Sequence, residues 1–175
     1  MDQLRYPIGK FAAREEGYTA EEIKSFIDRI EALPEKIVNA VTGLSNDQLD
    51  TPYRDGGWTV RQVLHHLPDS HLNAYIRFKW MLTEETPTIK AYNEKLWAET
   101  AETKADPALS ITLLKALHAK WVSLLRTLTK DDLQKQFLHP ETKKYVRMDN
   151  LMGTYAWHGE HHLTQITSLK ERKGW

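Results

Sequence analysis

Four long segments of this chain carry apolar residues at the spacing of an α-helix, and this pattern limits the possible folds more than any other feature. Apolar side chains three and four positions apart line one face of each segment. The segments are residues 19–44, 59–82, 107–128 and 150–172. Thr19 with Glu22, and Thr59 with Gln62, form the capping-box pattern that begins a helix. The expected fold is therefore all-α, an antiparallel four-helix bundle with short additional helices and loops.

Local breaks are expected at three places in this pattern. Pro34 has no amide hydrogen, so it should kink or divide the first helix, and Pro68 should break the backbone hydrogen bonding of the second helix locally. Residues 137–148, "FLHPETKKYVRM", are typical of two extended pieces joined by a turn at 140–143, which would form either a small hairpin or a loop. Asp149 is expected to cap the last helix.

Composition narrows the class of protein. The 175 residues, expected to form one domain over 1–175, contain 24 basic and 24 acidic side chains, which gives none of the net positive charge typical of nucleic-acid binders. The chain has no cysteine, so a transition metal would have to be held by histidine and carboxylate. We expect a cytoplasmic protein that binds neither nucleic acid nor membrane, because we find no signal peptide and no apolar run of membrane-spanning length.

Three of the eight histidines lie within "YAWHGEHHL", residues 155–163. On an α-helix His158 and His162 differ by about 40° and one turn, so both can point at one ion. Their shared face is also the apolar face expected to meet the core. His161 falls at the margin of that face and is a weaker ligand candidate.

A catalytic zinc site usually has three protein ligands, so a third is needed from elsewhere. The stretch "LHHLPDSHL", residues 64–72, offers His65, His66 and His71. The apolar face of that helix contains His71, has His66 at its edge and leaves His65 nearly opposite, but Pro68 disturbs the phase between His66 and His71, so helical periodicity does not choose well among the three. Asp69, one turn after His66, is a candidate base or orienting residue.

Aromatic and basic side chains near these clusters have two interpretations. The aromatic ones line a substrate cavity or belong to the bundle core; they are Trp58, Tyr75, Tyr155 and Trp157. Arg54 and Arg61 bind a substrate carboxylate or form surface ion pairs.

Four stretches, taken together and in order, resemble the YfiT family of metal-dependent hydrolases, a branch of the DinB-like helical bundles. They are "YPIG" at 6–9, "LDTPYRDGGWTVRQVLHHLPDSHLNAYIRFK" at 49–79, "TEETPTI" at 83–89 and "YAWHGEHHLTQIT" at 155–167. The resemblance implies a four-helix bundle with one divalent metal, zinc or nickel, held by His66, His158 and His162. It also implies a cytoplasmic homodimer. Pro68 departs from the alanine expected there in relatives.

The resemblance implies an activity as well as a fold. The first interpretation is a metal-dependent hydrolase that activates water to attack a small-molecule substrate. An alternative is a bacillithiol S-transferase, which activates the thiolate of a low-molecular-weight thiol. A second alternative is a non-catalytic metal-binding stress-response module, which would need a fourth protein ligand such as His161 or His71.

Overall fold

The structure, a computed structural model, describes residues 2–175 and is mainly helical. Its helices are α1 (Asp2–Arg5), α2 (Ala20–Val41), α3 (Asn46–Leu49), α4 (Val60–Thr83), α5 (Glu94–Trp97), α6 (Ala108–Leu125), α7 (Lys130–Gln134) and α8 (Met148–Lys173). A 3-10 turn covers Ala101–Lys104, and two strands, β1 (Gln136–Leu138) and β2 (Tyr145–Arg147), pair antiparallel before α8. The two extended pieces expected over 137–148 are present, and of the two alternatives they form a hairpin.

The four long helices α2, α4, α6 and α8 form a bundle, as the apolar periodicity predicts. Helix α2 packs mainly on α8 and α6, and α4 packs mainly on the same two helices. Helices α2 and α4 therefore lie diagonally opposite each other, and so do α6 and α8. Around the bundle the order is α8, α4, α6, α2, which brings the histidine-rich parts of α4 and α8 side by side.

A layer of histidines divides the core of the bundle into two apolar clusters. One cluster contains Ile30, Phe78, Trp121 and Met152, and the other contains residues such as Leu67. Between these levels lie five buried or partly buried histidines. They are His66, His71, His118, His158 and His162. A polar layer at this depth has to be satisfied by internal partners, because a buried polar group without a hydrogen bond is costly.

The helix starts follow the capping pattern. Thr19 and Thr59 each accept a hydrogen bond from the backbone N–H three residues later, from Glu22 and Gln62, whose side chains accept in return from the cap N–H. The expectation that Pro34 could divide the first helix is wrong, because α2 continues through it. Helix α4 likewise continues through Pro68. A proline removes one backbone hydrogen bond, and the packed neighbours hold the helix on either side.

The expected cap of the last helix is wrong. Helix α8 begins at Met148 directly after β2, with Arg147 at the cap position and no side-chain cap. Asp149, which is 2% exposed, lies in the first turn and accepts hydrogen bonds from the Arg147 guanidinium and from the N–H of Asn150. Strand β2 leads into α8 without a loop, and Asp149 lies inside the first turn with its side chain bound by Arg147, so it does not cap the helix.

Among residues 2–175, α6 alone meets the length and hydropathy criteria for a membrane-spanning helix, with a mean hydropathy of 1.3 over 18 residues. It packs against both α2 and α4 and buries Leu114, Trp121 and Leu125 in the bundle. This packing is typical of a core helix in a bundle. The expectation that the protein binds no membrane stays a prediction.

Candidate metal centre

Three histidines from two neighbouring helices converge inside the bundle. His66 comes from α4, and His158 and His162 come from α8; one ring nitrogen of each lies within 4.8 Å of the others. The Nε2 atom of His158 is 3.2 Å from the Nε2 atoms of both His66 and His162. The i, i+4 spacing gives two rings a common direction, and the packing of α4 on α8 supplies the third. These are the three residues that the family resemblance implied.

Burial keeps these three rings neutral near pH 7. It lowers the pKa of His66 to about 4, with a smaller contribution from His161. Burial also lowers the pKa of His158 and of His162 well below the ordinary histidine value. A neutral imidazole has one nitrogen lone pair that can bind a metal, whereas a protonated ring has none.

The side chain of Gln165 decides which nitrogen of His162 is free. Its amide nitrogen donates to the carbonyl oxygen of Arg5 at 3.0 Å and to Nε2 of His161 at 2.9 Å. The amide oxygen therefore faces Nδ1 of His162, at 2.9 Å, and can only accept a hydrogen from it. With its hydrogen on Nδ1, His162 presents the Nε2 lone pair to the triad. The donor set fits a divalent ion.

His161 lies beside the centre without joining it. Its Nε2 atom accepts from Gln165, and its ring stacks on Trp157 with centroids 4.7 Å apart. Its Nδ1 atom is buried and has no hydrogen-bond partner among the residues that the structure describes. The position at the margin of the face, expected from the helical projection, agrees with this placement.

Aromatic rings cover the triad on two sides. The ring of Trp58 lies 4.6 Å from His66, centroid to centroid, and stacks over His162 at 6.2 Å. The ring of Tyr155 lies 5.5 Å from His158. These walls keep the local dielectric low, which strengthens any charge interaction made at the three nitrogens. Trp58 and Tyr155 are therefore part of the wall of the site.

The remaining histidines of α4 point elsewhere. Nδ1 of His65 lies 2.7 Å from the Ser110 hydroxyl, and its Nε2 lies 3.3 Å from the Ala105 carbonyl oxygen. His71 is fully buried and its Nε2 lies 3.1 Å from Nδ1 of His158, on the side of that ring away from the triad. Of the three candidates in "LHHLPDSHL", His66 alone brings a nitrogen into the triad.

Charged residues near the two clusters are mostly held by other partners. Arg61 donates to the Asp50 carboxylate through two of its nitrogens, at 2.6 and 3.3 Å, which favours the ion-pair interpretation. Arg54 donates to the backbone oxygen of Asp55. Asp69 is half-buried, and burial followed by the nearby Glu102 carboxylate raises its pKa to about 6.

Two features of the centre escaped the sequence interpretation. Gln165, three residues after His162, could have been noted as a neighbour on the same helix face. The contact of His71 with His118, whose Nε2 lies 2.8 Å from Nδ1 of His71, joins α4 to α6 and has no local sequence pattern.

Comparison with known proteins finds relatives along the whole chain. YfiT of Bacillus subtilis (strain 168), provisionally named a metal-dependent hydrolase, is 51% identical over 173 residues, which cover 98% of this chain and 97% of YfiT. A Bacillus cereus (strain 03BB102) protein with the same provisional name is 50% identical over 175 residues, 100% of both chains. The solved structure of B. subtilis YfiT, described as a four-helix bundle of unusual topology, matches with a TM-score of 0.96 at 50% identity and covers 99% of each chain.

More distant similarity concerns the fold alone. The four-helix bundle protein TT2238 matches with a TM-score of 0.58 at 16% identity, over 83% of this chain and 98% of that one.

The DinB superfamily pattern matches residues 29–166, a range that includes all three histidines of the triad. With half of its residues shared along its full length, the chain belongs to the YfiT family of the DinB superfamily.

Proposed function

We propose that this protein is a metal-dependent hydrolase that holds one divalent ion, zinc, between His66, His158 and His162. The observation that carries the proposal is the convergence of three neutral ring nitrogens, from two buried histidines and one partly buried histidine, within 4.8 Å of one another. Imidazole nitrogens suit zinc and also nickel, which is the alternative metal. The relatives in B. subtilis and B. cereus carry a provisional hydrolase name, which supports the reaction class.

The number of ligands favours an enzyme over a purely structural metal site. Among residues 2–175, no fourth histidine or carboxylate joins the grouping, and the whole chain has no cysteine. Structural zinc sites usually have four protein ligands, whereas catalytic sites have three and leave one position for water or substrate. The non-catalytic stress-response alternative required a fourth protein ligand, so this count argues against it.

When bound, the ion supplies a Lewis acid that lowers the pKa of a coordinated water to about 7. The residues of the chain supply the remaining requirements. Gln165 holds His162 with its Nε2 lone pair toward the centre, and Trp58 shields the rings of His66 and His162 from solvent. We propose Asp69 as the proton acceptor because it lies one turn after His66 on α4, and burial with the nearby Glu102 carboxylate raises its pKa to about 6.

The first experiment measures zinc content and hydrolysis of a panel of esters and amides for His66→Ala, His158→Ala and His162→Ala. His139→Ala is the matched control, because His139 lies in the turn between β1 and β2. We expect each triad variant to lose zinc and activity and the control to keep both. Full zinc retention by both His158→Ala and His162→Ala would overturn the site.

A second experiment separates hydrolysis from thiol transfer. A divalent ion held by the three nitrogens would bind a thiolate in place of water, so a low-molecular-weight thiol is the alternative substrate. The zinc-loaded protein is incubated with a haloaromatic compound or an ester, with and without the thiol. Thiol-independent loss of the ester supports hydrolysis, and a thiol-dependent conjugate of the haloaromatic supports the bacillithiol S-transferase alternative. We also propose that the protein is a cytoplasmic homodimer and that its substrate is a small molecule.

A further inference from the structure

Two buried histidines that the proposed reaction does not use form a continuous hydrogen-bonded chain behind the triad. Nδ1 of His158 lies 3.1 Å from Nε2 of His71, and Nδ1 of His71 lies 2.8 Å from Nε2 of His118. Nδ1 of His118 then lies 2.6 Å from the carbonyl oxygen of Ile30. His71 is 0% exposed and His118 is 1% exposed, so water does not compete for these contacts. These hydrogen bonds link α8, α4, α6 and α2 in turn.

The carbonyl oxygen of Ile30 gives this chain its direction. A carbonyl oxygen can only accept a hydrogen bond, so the hydrogen of His118 must be on Nδ1. His71 and His118 are buried, and their hydrogen-bond partners are other imidazoles and a backbone carbonyl, none of which is an anion that would offset a buried positive charge, so each ring carries a single hydrogen near pH 7. Nε2 of His118 is then an acceptor, which His71 meets with Nδ1–H, and Nε2 of His71 is in turn an acceptor for Nδ1–H of His158.

The Ile30 carbonyl is available because of the proline in α2. In an α-helix the carbonyl of residue i accepts from the N–H of residue i+4, and the residue four positions after Ile30 is Pro34, which has no N–H. A buried carbonyl without a partner is costly, so His118 satisfies a group that the proline leaves open. The role of Pro34 is therefore to leave the Ile30 carbonyl open to a hydrogen bond from His118.

We propose that His71 and His118 are positioning residues for His158. Their hydrogen bonds, which begin at the Ile30 carbonyl, keep the hydrogen of His158 on Nδ1 and leave its Nε2 lone pair directed toward the metal. This inference rests on the proposed metal site and concerns one of its ligands. Partners of this kind hold a ligating imidazole in one tautomer, and their loss typically weakens metal binding by about 10- to 100-fold. The remaining nitrogen of His158 points at the triad with no hydrogen on it, as a metal ligand requires.

The first test is spectroscopic and needs neither metal nor substrate. In metal-free protein labelled with ¹⁵N-histidine, long-range ¹H–¹⁵N correlation near pH 7.5 shows which ring nitrogen of each histidine carries the hydrogen. We expect His118, His71 and His158 to be protonated on Nδ1. Protonation of His158 on Nε2 would overturn the inference. This test uses the unmodified protein, so it decides the question even where a variant fails to fold.

The second test compares two substitutions at the residue farthest from the metal. His118→Gln keeps a donor for the Ile30 carbonyl and an acceptor for His71, whereas His118→Phe keeps the ring volume and removes both. We expect His118→Phe to weaken zinc binding by about 10- to 100-fold and to give a mixture of His158 tautomers. His118→Gln should restore zinc affinity and the single tautomer.

The outcomes separate this inference from the proposed function. Full zinc retention by both His158→Ala and His162→Ala would remove the metal site itself. Zinc loss by His158→Ala, together with equal zinc affinity in His118→Gln and His118→Phe, would leave the site intact and overturn only the positioning role. A difference between the two His118 variants, with His158 shifted between tautomers in the phenylalanine variant, is the result that the inference predicts.

Discussion

Substitution of Gly159 by alanine tests the close contact between α8 and α2 on which the histidine layer depends. Gly159 follows His158 directly and packs against Leu33 of α2. A Cβ atom added at Gly159 would clash with Cδ2 of Leu33 and lie 3.1 Å from its Cδ1 and 3.2 Å from its Cγ. Rotation about the Cβ–Cγ bond of Leu33 moves its methyl groups but leaves Cγ in place, and rotation about the Cα–Cβ bond would drive the side chain into its packed neighbours, because Leu33 is 2% exposed.

Two opposing effects set the size of the change in stability. Alanine is a better helix former than glycine by about 1 kcal/mol in the interior of a helix. Overpacking of a dense core costs roughly 1–3 kcal/mol, because side chains leave their preferred rotamers or the backbone moves. The clash involves three atoms of one buried side chain, so we expect overpacking to be the larger effect. Gly159→Ala should therefore lower the free energy of unfolding by up to about 2 kcal/mol.

The decisive measurement is a double-mutant cycle by urea denaturation of the metal-free protein. Leu33→Ala alone should cost about 2–5 kcal/mol through the cavity it leaves. In that background the new methyl group meets empty space, so Gly159→Ala should become stabilising by up to about 1 kcal/mol through helix propensity. Equal effects of Gly159→Ala in the two backgrounds would refute the reasoning, because the contact with Leu33 would then carry none of the cost.

Three further predictions concern charge and hydrogen bonding. In the unfolded protein His118 has the ordinary histidine pKa of about 6.5, whereas burial lowers its pKa in the folded protein to about 4. The free energy of unfolding of the metal-free protein should therefore fall by roughly 3 kcal/mol through this group as the pH falls from 6.5 to 4. A free energy of unfolding that stays constant over that range in urea denaturation would contradict the burial of His118. Arg61→Gln, which removes the ion pair of a largely buried arginine with Asp50, should lower the free energy of unfolding by roughly 1–3 kcal/mol in the same assay. Arg126→Gln, which removes an exposed ion pair, should change it by less than about 1 kcal/mol. Equal changes in the two variants would contradict this prediction. Gln165→Leu should weaken zinc binding about 10-fold because Nδ1–H of His162 loses its acceptor, and unchanged affinity in a zinc titration would exclude that role.

The sequence predicts the helices well because their ends depend on neighbouring residues. Thr59 and Gln62 cap each other across three positions, and α4 begins at Val60 as that pattern requires. The pairing of His158 with His162 is also local, since one turn of helix relates them. The start of α8 was predicted wrongly because the pairing of β2 with β1 sets it: the paired strand extends to Arg147 and leads directly into the helix, and Arg147 binds the Asp149 carboxylate.

The third ligand could not be chosen from periodicity because all the candidates in α4 are buried. His65, His66 and His71 are 5%, 3% and 0% exposed, so a pattern that predicts burial does not separate them. They differ in the helix that each one faces. His66 turns toward α8, His65 contacts Ser110 of α6, and His71 lies between His118 and His158. That choice depends on the packing order of the bundle, in which α4 lies between α8 and α6.

Pro34 shows how a local rule can be right about chemistry and wrong about structure. The rule states that a proline removes the hydrogen bond to the carbonyl four residues earlier, and Ile30 does lose that partner. It does not state that a histidine 88 positions along the chain, His118, supplies the replacement. A kink or division of α2 is one way to expose an open carbonyl to water, and a donor from a packed neighbour is another. In this bundle the second way keeps α2 continuous and gives the histidine chain to His158 its direction.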